Sequence, residues 1–153
     1  MLKLYLISLS IFLLDILSKN YIQDKIIYGE QVEITSFLSL VHFQNPGAAF
    51  SFLSDQGGWQ RYFLIVISLL AVIYIPWLIN QYKKNILIVL GLLLILGGAI
   101  GNLFDRISYG YVIDFIYFHI DEFYWPAFNV ADGAISIGVL LFLYGSIRSY
   151  KKT

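Results

Sequence analysis

Asp114 and Asp132 are the residues best equipped for chemistry in this chain of 153 residues. Asp114 stands in Val112-Ile113-Asp114-Phe115-Ile116 and Asp132 in Phe128-Asn129-Val130-Ala131-Asp132-Gly133, so both carboxylates interrupt strongly apolar sequence. An ionised group in such surroundings is costly unless it is paired or put to use. Amide hydrolysis can use a Ser, Cys or Thr nucleophile with a base, a metal-bound water, or water held between two carboxylates. Cysteine is absent, and His42 and His119 are the only histidines, with no H-E-x-x-H spacing. Thiol nucleophiles, disulfides and thiolate zinc sites are excluded together, and a triad or histidine-rich zinc site has little support. Ser18-Lys19 suggests a serine–lysine dyad, but neighbours on a helix point about 100° apart. The two aspartates remain, and no metal or cofactor is implied.

Two carboxylates at short range cannot both ionise easily, so one keeps a proton. The ionised partner would take a proton from water as it attacks the peptide carbonyl. The protonated partner would stabilise the developing charge and help protonate the leaving amine. Asp132 falls in the first turn of an expected helix, where the dipole and free N–H groups favour the anion. Asp114 lies on an extended apolar segment, where desolvation favours the neutral acid. Non-catalytic readings stand beside these. Asn129-x-x-Asp132 also fits an N-cap with an acid in the first turn, and Asp105-Arg106 also fits a simple interfacial ion pair.

The elements that must position these groups are set by composition. Apolar residues make up 59% of the chain and charged ones 13%, and the mean hydropathy is +0.74. Soluble domains carry roughly 25% charged residues, so an α-helical integral membrane protein is expected. The length suits one domain, 1–153, of about four spans of roughly 20 residues each. A formal net charge of zero argues against a nucleic-acid partner.

Expected spans cover 2–22, 62–79, 86–104 and 129–147. No small-residue cleavage site follows the first, so it reads as a retained span and not as a leader. Asp15 and Lys19 share one face of it, either as a buried pair that locks helices together or as support for a site; both place that face inward. Residues 24–60 and 105–128 are the expected extramembrane stretches. Gln31–Thr35 and 38–44 alternate like short strands, Asn45-Pro46-Gly47 signals a turn, and 111–120 reads as extended. A small sheet on the membrane surface fits this pattern. Trp59 and Tyr62 suit an interface, Pro76 suits a kink, and Gly97, Gly98 and Gly101 suit close helix packing.

Lys3, Lys83, Lys84, Arg148, Lys151 and Lys152 flank the spans on one side, and the 10 acidic residues lie within spans or on the other. The positive-inside rule then makes both termini and the 80–85 loop cytoplasmic, with the carboxylates facing outward.

Taken together, the motifs resemble lipoprotein signal peptidase (signal peptidase II), a bacterial inner-membrane aspartyl protease family. The resemblance rests on Asp15-Ile16-Leu17-Ser18-Lys19, the Asn45-Pro46-Gly47-Ala48-Ala49-Phe50-Ser51 turn, residues 97–106, Val112-Ile113-Asp114-Phe115 and Phe128-Asn129-Val130-Ala131-Asp132. It implies four transmembrane helices, a small extracytoplasmic β-sheet cradle and a short amphipathic helix beside it. It makes Asp114 and Asp132 the catalytic pair. Asn45, Gly47, Asn102, Asp105, Arg106 and Asn129 match positions that line or order the cleft, and Asp15 and Lys19 match supporting ones. The implied substrate is a diacylglyceryl-modified prolipoprotein, cut before the lipidated cysteine by a monomer among membrane lipids. Gly133 stands where the family commonly has serine, and Ser18 where threonine is usual. A non-catalytic lipid-binding subunit or transporter is the competing class, but both aspartates sit at element ends whereas transport sites usually lie near the midplane. A presenilin-type protease would need a GxGD pattern, which is absent.

Overall fold

The computed structural model describes residues 2–47 and 58–150. The apolar course of 48–53, the second half of the family's turn block, and Lys151 and Lys152 therefore lie outside the described residues. After a short 3-10 turn at Leu2–Leu4, the elements run α1 (Tyr5–Lys25), β1 (Gln31–Thr35), β2 (Leu38–Asn45), α2 (Trp59–Gln81), α3 (Ile86–Ser108), β3 (Val112–Ile120), β4 (Phe123–Tyr124) and α4 (Val130–Tyr150).

Helix α3 is the hub and packs against α1, α2 and α4. Its start is fixed by Asn85, whose Oδ1 accepts the Ile88 N–H at 3.3 Å, and an unbroken apolar run carries it onward. The helix continues beyond residue 104, where polarity suggests a loop, and stops only before Gly110, which adopts φ +89°. Asp and Arg do not end a helix; a residue suited to positive φ does. Asp105 and Arg106 thus ride on the last turn of α3 and are not loop residues. Helix α2 begins at Trp59, so that ring opens the helix instead of preceding it, and Pro76 lies within it.

Three helices, α2, α3 and α4, are long and apolar enough to cross a membrane. In α3 67% of the most apolar window is buried, against 11% in α2 and 22% in α4, which sets α3 inside and the others around it. The outer faces carry large exposed apolar side chains, such as Phe63, Val66, Leu70 and Ile73 on α2 and Leu140, Leu143 and Ile147 on α4. Contiguous apolar exposure on this scale suits lipid and not water. Helix α1 has the same arrangement, with Leu6, Leu9, Leu13 and Leu17 outside and Ser8, Asp15 and Lys19 buried, but its second half is more polar and it is not among the three.

The four strands form one antiparallel order, β1-β2-β3-β4. The β2–β3 register shifts once: Leu40 pairs with Ile116, but Phe43 pairs with Asp114 and Asn45 with Val112. Side chains alternate between faces, so one extra residue on β2 exchanges its faces relative to β3. Val41 and His42, consecutive yet both buried, mark the irregularity. Its effect is to put Asn45, and not Gln44, on the face that carries Asp114. Ile22, Ile26 and Phe115 pack the sheet onto the end of α1.

Helices α3 and α4 approach closely at glycines. A Cβ on Gly91 would meet the Gly138 carbonyl at 2.6 Å, and one on Gly98 would collide with the Ala131 carbonyl in the first turn of α4. The small-residue reading of this stretch holds, with Gly97 set against Ser8 of α1 and Gly101 against the Asp15 carboxylate. Gly133, by contrast, faces open space. Gly98→Ala should therefore push α4 away and destabilise by about 2 kcal/mol, whereas Gly133→Ala should stabilise by up to about 1 kcal/mol through helix propensity. Thermal unfolding in detergent checks both; a Gly98→Ala protein with wild-type stability would refute the close approach.

Candidate active site

Asp114 and Asp132 line one cleft of about 550 Å³, together with Asn45, Gly47 and Arg106. Strand β3 carries Asp114 beneath the cleft, and the first turn of α4 carries Asp132 beside it. Leu64 of α2, Ile135 and Ile137 of α4, and the Trp125–Phe128 connection (residues 125–128) supply apolar walls. The connection is pinned to β3, since the Phe128 carbonyl accepts the N–H groups of Phe115 and Ile116 at 3.0 and 2.8 Å. That clamp fixes where α4 starts relative to Asp114.

Each carboxylate is held by amides. Asn45 Nδ2 donates to Asp114 Oδ2 at 2.9 Å and Asn129 Nδ2 to Asp114 Oδ1 at 2.7 Å. Asn45 is in turn fixed by an Asx turn, its Oδ1 accepting the Gly47 N–H at 2.9 Å. Gly47 adopts φ +130°, and a Cβ there would crowd Gln60 and Leu64, so glycine is needed at the mouth of the cleft. Asn102 Nδ2 donates to Asp132 Oδ1 at 2.7 Å. Asn129 Oδ1 accepts the Asp132 N–H at 2.9 Å while Asp132 Oδ2 accepts the Asn129 N–H at 3.3 Å. That is a reciprocal cap. Capping and a place in the cleft, alternatives by spacing, are both true of Asp132.

Behind this layer lies Lys19, 1% exposed. Its Nζ reaches Asp15 Oδ2 at 2.6 Å, Asp105 Oδ2 at 2.9 Å and Asn102 Oδ1 at 3.1 Å. The remaining oxygen of Asp15 accepts the Ala131 N–H at 2.8 Å, and Asp105 Oδ2 also accepts the Ile113 N–H at 3.3 Å. Asp105 and Arg106 therefore do not pair with each other as their adjacency suggests. Asp105 turns inward to Lys19, whereas Arg106 Nη1 donates to the Asn102 carbonyl at 3.2 Å and faces the cleft. Arg106 Nε is buried with no acceptor among the described residues.

Ser18 donates to the Asp15 carbonyl at 2.9 Å, so its hydroxyl and the Lys19 amine are committed to different partners. His42 hydrogen-bonds the Ile26 carbonyl through Nδ1, and His119 pairs with Ser39; neither lines the cleft. One contributor is not singled out from sequence: Arg61, whose Nε donates to the Arg106 carbonyl at 3.0 Å. Its signal is a lone cation at the head of an apolar helix.

Burial pushes the Asp114 carboxyl up from an ordinary value of 3.8 to about 7, and the neighbouring Asp132 charge adds to the rise; hydrogen bonds from Asn45 and Asn129 oppose it. Asp114 is only 4% exposed, in line with a dominant desolvation effect.

A bundle of apolar helices that presents two amide-clamped carboxylates in a walled cleft defines a membrane protein with the means for hydrolysis. The chain belongs to the signal peptidase II family: the family model described as signal peptidase (SPase) II matches residues 7–148. It is 47% identical over 146 residues to a lipoprotein signal peptidase of Janthinobacterium sp. (strain Marseille), covering 95% of this chain and 88% of that one. It is 46% identical over 140 residues to the lipoprotein signal peptidase of Ralstonia nicotianae, covering 92% and 81%. A solved structure described as a bacterial membrane enzyme at 2.3 Å resolution superposes with a TM-score of 0.87 at 27% identity, covering 99% of this chain and 91% of that one. A second, at 1.9 Å, gives 0.81 at 29% identity, covering 93% and 90%. Membership makes the protein a peptidase, and its relatives and apolar helices make it a bacterial membrane protein.

The raised Asp114 value has a consequence for stability. The folded state holds a proton at Asp114 that the unfolded chain releases near pH 4, so its contribution to stability falls as pH rises from about 4 through about 7. Asp114→Asn should remove that slope and leave the protein more resistant to denaturant than wild type at pH 8. A wild-type stability that rises across this window relative to Asp114→Asn would contradict the assignment.

Proposed function

We propose that this chain removes the signal peptide from diacylglyceryl-modified prolipoproteins, cutting before the lipidated cysteine by water attack between Asp114 and Asp132. The observation that carries the reading is the convergence of both carboxylates on one cleft, with burial favouring the proton on Asp114. Water lies between the pair. Asp132, at the start of α4, accepts a proton from it as its oxygen attacks the scissile carbonyl. Asp114 hydrogen-bonds that carbonyl oxygen and stabilises the charge that develops there. Collapse of the tetrahedral intermediate breaks the C–N bond, with a proton from the dyad passing to the amine that leaves. Arg106, with an unmet Nε donor, supplies a further contact for a substrate oxygen.

The cleft lies between α2 and α4, whose outer faces are apolar, so acyl chains on the substrate cysteine can lie along them while the peptide enters from the sheet side. We extend the reading to the whole chain as one domain, 1–153, acting as a monomer. Helix α1 is its fourth span, since its leucines face outward and its charges inward. Both termini are cytoplasmic and the sheet and cleft are extracytoplasmic, in the inner membrane, as Lys83, Lys84 and Arg148 support.

Cleavage of a lipid-modified precursor is the test. Asp114→Asn and Asp132→Asn should each lower the rate by about 10³-fold or more while the protein still inserts, an order typical for the loss of one member of a catalytic unit. Substantial activity in either variant removes that residue from the dyad. A precursor without the diacylglyceryl group should be cut far more slowly, and equal rates would rule out docking of the acyl chains. Reporters fused after Lys84 should read as cytoplasmic and those within 24–47 as external; the reverse would put the cleft in the wrong leaflet.

A further inference from the structure

We propose that the end of the bundle opposite the carboxylate cleft binds the phosphodiester headgroup of an anionic phospholipid. A cavity of about 650 Å³ opens there, where α2 and α4 end and α3 begins, and Lys83, Lys84 and Arg148 all line it. Among the described residues, no acidic side chain lines it and none of these cations has an ion pair.

The simpler reading is that the cations merely offset the carbonyl ends of α2 and α4. Each helix end is equivalent to roughly half an elementary charge. Two C-termini and the N-terminus of α3 then sum to about −0.5, against three formal positive charges. A surplus of about 2.5 positive charges remains, more than one phosphodiester requires.

The cavity is also built, not a chance meeting of loops. Asn85 Nδ2 donates to Ser149 Oγ at 2.6 Å and to the Gly145 carbonyl at 3.3 Å, tying the α2–α3 turn to the last turns of α4. The Tyr82 ring meets Phe142 edge to face at 6.5 Å. Lys83 and Arg148 are thus held at one opening although they are far apart in sequence. Ile86 and Leu87 line the same cavity, and on α2 the stacked, exposed rings of Tyr74 and Trp77 lie shortly before it. Cations beside apolar side chains at interfacial depth match an amphipathic ligand and not a free anion. The inference rests on the helices spanning a membrane, but not on the peptidase reaction or on which leaflet this end faces.

The test uses the full chain in a neutral detergent, titrated with dioctanoyl phosphatidylglycerol, dioctanoyl phosphatidylcholine and inorganic phosphate, with binding read by native mass spectrometry. Wild type should prefer phosphatidylglycerol over phosphatidylcholine by about 10-fold or more, given the contribution expected of three cations. The preference should vanish in the Lys83→Gln/Lys84→Gln/Arg148→Gln variant and persist in Lys25→Gln, a cation at the other end of α1. Millimolar phosphate should not compete. No preference in wild type, an unchanged preference in the triple variant, or equal competition by free phosphate would overturn the proposal. If the triple variant fails to fold, Lys83→Gln and Arg148→Gln alone should each lower the preference at least threefold, and wild-type values in both would also overturn it. Flotation with liposomes reports membrane insertion separately, so a protein that floats without lipid preference counts against the site alone.

Discussion

The arrangement of the cleft depends on one buried cation. Lys19 lies out of contact with solvent and is matched by Asp15 on its own helix and Asp105 on α3. An ammonium in such a place must be paired, and removal of one partner of a buried pair costs several kcal/mol because a bare charge is left behind. The expense of that burial fixes geometry. Asp15 reaches the amide of Ala131, Asp105 reaches the amide of Ile113, and Asn102 passes from Lys19 to Asp132. A single ammonium therefore sets the relative positions of α1, α3, β3 and α4, and with them the neighbours of both candidate catalytic carboxylates.

The two aspartates are chemically alike and environmentally different. Asp114 sits on a buried strand, where two side-chain amides and the Lys19 charge oppose its desolvation, whereas Asp132 sits at a helix start, where its carboxylate accepts a backbone N–H. In the proposed reaction such a difference is what would let one pair of identical groups serve as acid and base at one pH. The clamp between Phe128 and β3 holds the start of α4 against the strand and so keeps the two environments side by side.

Much of this is legible in the sequence where local chemistry decides. The alternation of Gln31–Thr35, the apolar run of α3 and the Asn129 cap each specify their own element, and the isolated acids stand out from the apolar background. What escapes is set by tertiary structure. The one-residue register shift that brings Asn45 to Asp114 follows from sheet pairing and not from any residue type. The end of α3 follows from Gly110, so polarity alone places it too early and detaches Asp105 from the helix that aims it at Lys19. Arg61 shows in the sequence as a lone cation at the head of an apolar helix, but it acts through a backbone carbonyl, so its partner cannot be read from side-chain patterns.

The membrane makes these choices economical in space: apolar faces point outward, and the interior is left for charge pairs that would be unremarkable on a soluble surface. The pH dependence of kcat/KM for a lipid-modified precursor tests the central claim most directly, because it reports the ionisation of the free enzyme. With Asp114 as the protonated partner, kcat/KM should fall with unit slope as pH rises through about 7. A rate that instead climbs through that region, reaching its plateau only above it, would mean that the buried carboxyl acts as the base and would contradict the assignment of roles.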